Sequence, residues 1–92
     1  MWDWDEPKRH ANLAKHGLDF AALDGFDWSS ATHGADMRTD YGEARIVTTG
    51  YIGARLHILA WTPRHGRVRV ISLRKANERE QKAWRSLRAP DR

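Results

Sequence analysis

Residues 55–62 are apolar on both faces. Leu56, Ile58 and Ala60 alternate with His57, Leu59 and Trp61, so as a strand this segment needs cover above and below. Such a strand is central, and a central strand needs neighbours. Alternating segments flank it at 44–50 and 67–74, joined to it through Gly53 and through the turn Pro63–Gly66. Connections this short leave only antiparallel pairing. The fold is therefore built on an antiparallel meander.

The first part of the chain supplies what covers the sheet. Trp2 and Trp4 alternate with Asp3 and Asp5, which suits a short N-terminal strand. Asp5, Glu6 and Pro7 then open a helix, with Asp5 as the cap. Lys15 and His16 close it, and Gly17 supplies a left-handed stop. Ala11, Ala14 and Leu18, widened by Leu13, form a small apolar stripe that predicts close packing on a sheet. Asp19 caps a second short helix from Phe20 to about residue 24. Residues 25–42 read as a loop, with room for a short strand near 31–37. Asn77 with Glu80 three residues later is a capping-box pattern for a last helix, whose predicted buried side is Ala76, Ala83, Trp84 and Leu87. The class is α+β: a compact antiparallel sheet of three to four strands, with room for the N-terminal strand, packed by two early helices and one late basic helix.

Composition narrows the class of function. Ninety-two residues make one domain, 1–92. From Arg64 to Arg92 there are ten Lys/Arg and three Asp/Glu, a net of +7; residues 1–63 hold six and nine, a net of −3, which together give +4. The basic tract coincides with the last strand and the last helix, and a cationic surface on rigid elements suits a polyanion, nucleic acid first. The five Trp read as core anchors, since each buries ~150–250 Å². The chain has no cysteine, which excludes disulfides and thiolate metal sites and fits a reducing cytoplasm. No apolar run approaches the ~18 residues of a membrane span, and the acidic start is unlike a signal peptide. His10 and His16 are six apart with no HxxxH or HxH, so neither metal nor cofactor is expected.

The chain resembles a known family. Trp4, Asp5, Lys8, Asn12, the run Lys15-His16-Gly17-Leu18 and Phe20 are similar to the opening of the BrnT-type toxins, small ribonucleases of the RelE-like superfamily encoded beside a DNA-binding antitoxin. The likeness continues through Asp36, Tyr41, Gly42, Glu43, Arg45, Gly50 and Thr62. It closes with Arg69, Val70, Ile71, Ser72, Arg74, Lys75, Ala76, Arg79 and Glu80. The resemblance implies a RelE-like fold, metal-independent RNA cleavage in the cytoplasm, and growth inhibition relieved by a cognate antitoxin of ribbon-helix-helix type. It further implies that the complex binds its own promoter.

Metal-free RNA cleavage uses the 2′-OH as nucleophile and needs a base, an acid and cations for the phosphorane. Arg69 and Arg74 are the candidates for the last task, because a planar, permanently charged fork matches two phosphate oxygens. Strict alternation points them to opposite faces unless the strand bulges. His16 is the candidate acid or base; equally, a cation in a helix's last turn is favoured by the dipole. Asn12, one turn earlier, either orients His16 or caps a loop. Lys8, Lys15, Arg64, Arg67, Lys75 and Arg79 are candidate RNA contacts, though any of them also serves as a solvated charge. Glu43 and Arg45 read as structural partners of neighbouring strands. Tyr41 reads as packing, with base stacking as the alternative, and His57 as a satisfied core histidine. The competing readings of the whole chain are a non-catalytic nucleic-acid-binding module and a protein-interaction subunit with a basic surface.

Overall fold

The computed structural model describes residues 2–36 and 42–88; Met37 and Tyr41 lie outside them. The order is β1 (Trp2–Trp4), α1 (Glu6–His16), a 3₁₀ helix (Phe20–Gly25), β2 (Thr32–Ala35), β3 (Ile46–Ile52), β4 (Arg55–Arg64), β5 (Arg67–Lys75) and α2 (Glu78–Arg88). The strands form one five-stranded sheet in the order β1-β5-β4-β3-β2. The expected meander is β3-β4-β5, antiparallel throughout. The sheet is larger than expected because both short flanking strands join it. β2 pairs antiparallel with β3, and β1 pairs parallel with β5, so the sheet is mixed.

β4 is central, as its two apolar faces require. One face carries Leu59, Val70 and Leu73, covered by Phe20, Leu23 and Phe26 with Trp2, Trp4, Trp28 and Trp61 around them. Trp28 stacks on Trp2 at 5.5 Å and meets Phe26 edge-on at 4.9 Å, so four of the tryptophans are structural anchors. Phe26 lies directly over Gly50, where an added Cβ would come within 2.7 Å of the ring; the glycine is what lets the aromatic approach the sheet. Among the described residues, the other face is covered at one end only, by Trp84 of α2 packed on Leu56, Ala76, Tyr51 and Ile58.

The hairpin between β4 and β5 turns on His65 (φ 55°) and Gly66 (φ 73°), both left-handed as a two-residue turn of this hand requires. Within β5 the pairing slips. Ala60 faces Ser72, but Trp61 faces Val70, so Ile71 is an extra residue, a β-bulge. The bulge resets the alternation. Val68 and Val70 face the main core before it and Leu73 faces it after. Arg67, Arg69, Ser72 and Arg74 therefore all project to the other face.

Three local expectations are corrected. Asp5 holds N-cap backbone angles but makes no side-chain cap bond. In α1, Ala11 and Ala14 are exposed and Leu13 is 43 % exposed; the one buried residue is Asn12. The cause is that α1 runs along the free edge of β5, beyond the end of β1, and there meets backbone polar groups rather than an apolar face. The Asn12 amide fills the place of a missing strand. Its Oδ1 accepts from the Leu73 N–H at 3.0 Å, and its Nδ2 donates to the Leu73 carbonyl at 2.8 Å and to the Leu18 carbonyl at 3.0 Å. Thirdly, α2 buries Trp84 (6 % exposed) but not Ala83 or Leu87, the latter 71 % exposed, because these two line an open groove between α2 and the sheet. Gly17, the Asp19 cap and the capping box are as expected: Gly17 has φ 70°, the Asp19 carboxylate accepts from the Ala21 N–H, and Asn77 and Glu80 exchange bonds of 2.8 Å.

Candidate nucleic-acid interface

Where α1 meets the bulge there is a surface cavity of about 240 Å³, lined by Lys8, Ala11, Asn12, Lys15, His16, Ile71 and Ser72. Lys8 and Lys15 are exposed, lie one face of α1 apart by two turns, and make no ion pair among the described residues. His16 sits between that helix end and the sheet. Its pKa is lowered, first by desolvation and then by the neighbouring charges of Lys15 and Arg74. The histidine is therefore neutral near pH 7, and Arg74 is close enough to act on it through space. Asn12 is committed to the backbone of Leu73 and Leu18, so it braces the cavity wall and does not orient His16.

Arg74 is held in place. Its guanidinium donates to both carboxylate oxygens of Glu80, at 2.8 and 2.7 Å. The same carboxylate accepts from the Asn77 N–H in the capping box. These bonds, with Arg74 first among the causes, hold the Glu80 carboxyl down at about 2 against an ordinary 4.5. A depressed folded-state pKa means stabilisation fully present above pH 4.5 and lost as the pH falls toward 2. With Glu80 30 % and Arg74 37 % exposed, screening leaves about 1–2 kcal/mol. Acid titration of melting temperature should therefore show a loss over this window that is smaller in Glu80→Gln; parallel curves for the two proteins would refute the coupling.

The remaining candidates are spread over the molecule. Arg69 shares a face with Arg74, but lies roughly 15 Å away along the strand and is paired with Asp3 at 3.0 Å. Its bond holds the Asp3 carboxyl below the ordinary range. Two such arginines suit different phosphates of a chain better than one. Arg64 and Arg67 are opposite each other at the hairpin end, with Arg64 3.3 Å from Glu43. Lys75 falls on the opposite face, beside His57. His57 is 4 % exposed and donates its Nδ1–H to the Arg55 carbonyl at 2.8 Å. Burial first, then the charges of Arg55 and Lys75, lower its pKa; it is a satisfied neutral core histidine. Arg79 lies on α2 in a shallow depression with Asn77, Glu78 and Lys82, apart from the cavity.

Two participants were not singled out from the sequence. Ser72 reaches the cavity only because of the bulge. Its signal is the phase change in Val68, Val70, Ile71 and Leu73, where apolar residues pass from even to odd positions. In the sequence Glu80 presents only a capping pattern; that it also grips Arg74 depends on how α2 returns to β5.

Among the described residues, no three His, Asp or Glu side chains gather as a metal site needs, and no helix is long and apolar enough to cross a membrane. No curated protein matches the chain. The family model described as ribonuclease toxin, BrnT, of type II toxin-antitoxin system matches residues 4–80, a span that includes the cavity, the bulged strand and the Arg74–Glu80 pair. The cationic cavity and the bulged arginine strand are thus features of a member of the BrnT family, ribonuclease toxins of type II toxin–antitoxin systems, to which this chain belongs.

Proposed function

We propose that the chain cuts RNA without a metal ion at the cavity between α1 and the β5 bulge, with His16 as the proton-transfer group and Arg74 as the cation on the scissile phosphate. The observation that carries this reading is the cavity that sets His16 with Lys8 and Lys15 against the bulge at Ile71 and Ser72; burial and the charges of Lys15 and Arg74 lower the His16 pKa there. A neutral imidazole can accept the 2′-OH proton. The 2′ oxygen then attacks phosphorus, and negative charge grows on the equatorial oxygens, where Arg74 and Lys15 stabilise it. The imidazolium so formed is a stronger acid for the same electrostatic reason and returns its proton to the departing 5′ oxygen. The products are a 2′,3′-cyclic phosphate and a free 5′-OH. Lys8 on one side, and Arg69 with Arg67 and Arg64 farther along β5, suit flanking phosphates, which they would bind in a salt-dependent way. Lys75 and Arg79 lie outside this path and serve as solvated charges.

The family implies an antitoxin partner. A ribbon-helix-helix antitoxin whose complex with the toxin binds its own promoter, a cytoplasmic site of action and a RelE-like assignment of the fold accompany the proposal, on the resemblance of the sequence. The test is cleavage of labelled RNA by purified toxin. EDTA should leave the rate unchanged. The log of kcat/KM should rise with pH along an acid limb whose midpoint lies below 6.5, and His16→Gln should abolish that limb along with most of the rate. Full inhibition by EDTA, or an unchanged pH profile in His16→Gln, would refute the mechanism. Binding of RNA without cleavage would favour a non-catalytic module.

A further inference from the structure

Among the described residues, the sheet face opposite the main core is only half covered, and its uncovered part is a groove beside α2. Thr32, Thr49, Ile58 and Arg74 are register partners and form one row across β2, β3, β4 and β5. This row, with Val47, floors a groove of about 300 Å³ whose wall is Glu80, Ala83, Trp84 and Leu87. The wall is apolar where it is most exposed, at Leu87 (71 %). The outward side of α2 is basic, with Arg79, Lys82 and Arg85 all exposed. At one end the groove reaches edge strand β2, and at the other it reaches Arg74.

We propose that this groove is the docking site of the antitoxin, which inserts one apolar side chain between Leu87 and the Val47–Ile58 floor and sets carboxylates against Lys82 and Arg85. The choice of occupant follows from the chemistry. A nucleic-acid strand has no use for a floor of Val47 and Ile58 with Leu87 above it. A protein segment that alternates apolar and acidic groups complements both the floor and the basic rim. The family adds that such a protein partner exists. A segment seated here reaches Arg74, so it would exclude RNA from the cavity by covering the cation that serves it. The inference rests on the toxin reading above but not on the assignment of His16.

The experiment measures antitoxin affinity, RNA cleavage and thermal melting for the parent, Leu87→Asp, and the double variant Lys82→Glu/Arg85→Glu. All three positions are exposed and outside the cleavage machinery, so each variant should melt near the parent and cut RNA at the parent rate without antitoxin. Leu87→Asp should bind antitoxin at least tenfold more weakly. The double variant should lose affinity as well, with a shallower dependence on salt. Affinities within twofold of the parent for both would overturn the proposal. A Leu87→Asp variant that loses RNA affinity while keeping antitoxin affinity would assign the groove to RNA. A parent that is dimeric, with a monomeric Leu87→Asp of unchanged antitoxin affinity, would assign it to a second copy of the chain. Failure of the parent itself to bind the antitoxin would remove the occupant and the partner reading together, whereas loss of cleavage in the parent alone would sink only the nuclease mechanism. If Leu87→Asp melts early, the double variant decides.

Discussion

Changing Arg74 to alanine is expected to slow RNA cleavage about 10²–10³-fold, the usual cost of removing one preorganised group from the charge that grows in the transition state. Arg74 is preorganised in the required sense. Two hydrogen bonds that it donates to the Glu80 carboxylate fix the planar fork, and its charge already bears on His16. Arg74→Lys keeps the charge but not the fork and should recover only part of the rate. The substitution also removes the partner of Glu80, so a structural origin must be separated. Glu80→Gln does this, because glutamine still serves the capping box while its neutral amide no longer grips the guanidinium as an ion pair. Single-turnover cleavage of labelled RNA, with melting curves for each variant, is the measurement. Arg74→Ala at the parent rate would remove Arg74 from the mechanism. A loss of equal size in Glu80→Gln, matched by an equal fall in melting temperature in both variants, would make Arg74 a structural tie.

The largest effect on stability should come from Asn12. Asn12→Ala removes three hydrogen bonds and leaves the N–H and carbonyl of Leu73 without them, in a residue that is fully buried. Each orphaned buried group costs about 1–3 kcal/mol, so a loss of about 3 kcal/mol or more is expected. In a domain this small each kcal/mol moves the melting temperature by about 4–8 °C. Asn12→Asp is the sharper test. Its carboxylate can still accept from the Leu73 N–H, but it turns a second oxygen toward two carbonyls. At pH 7 it should be no more stable than Asn12→Ala. Below the carboxyl pKa it should recover, since a protonated acid can donate to one carbonyl. Melting temperatures near the parent for both variants would show that water replaces the amide and that α1 is not tied to the edge through it.

Much of this architecture was legible in short stretches of sequence. The two-sided apolar pattern of 55–62 marked the central strand, and the flanking turns dictated the antiparallel meander. The left-handed stop at Gly17 and the reciprocal caps of Asn77 and Glu80 were readable because each depends on residues within one helical turn. Other features misled. The Ala11–Ala14–Leu18 stripe promised a helix lying on a face, whereas α1 lies on an edge and buries an asparagine. The apolar series through Leu87 promised a fully docked last helix, whereas of that series Ala76 and Trp84 are buried and Ala83 and Leu87 are not. Helical periodicity reports which residues share a side of a helix, not whether another element arrives to cover that side.

Residue types and their local order by themselves determined the elements, the mixed cationic character of the last strand, and membership of a ribonuclease family. They could not decide which cations meet. Alternation placed Arg69 and Arg74 on opposite faces; one extra residue at Ile71 in the pairing of β5 with β4 put them on the same face. Asn12 found Leu73 across 61 residues, and Arg74 came near His16 only because α1 runs along the edge that the bulge deforms. Those outcomes depend on which distant backbone groups are left without partners once the sheet has formed, and that is settled when the whole chain packs.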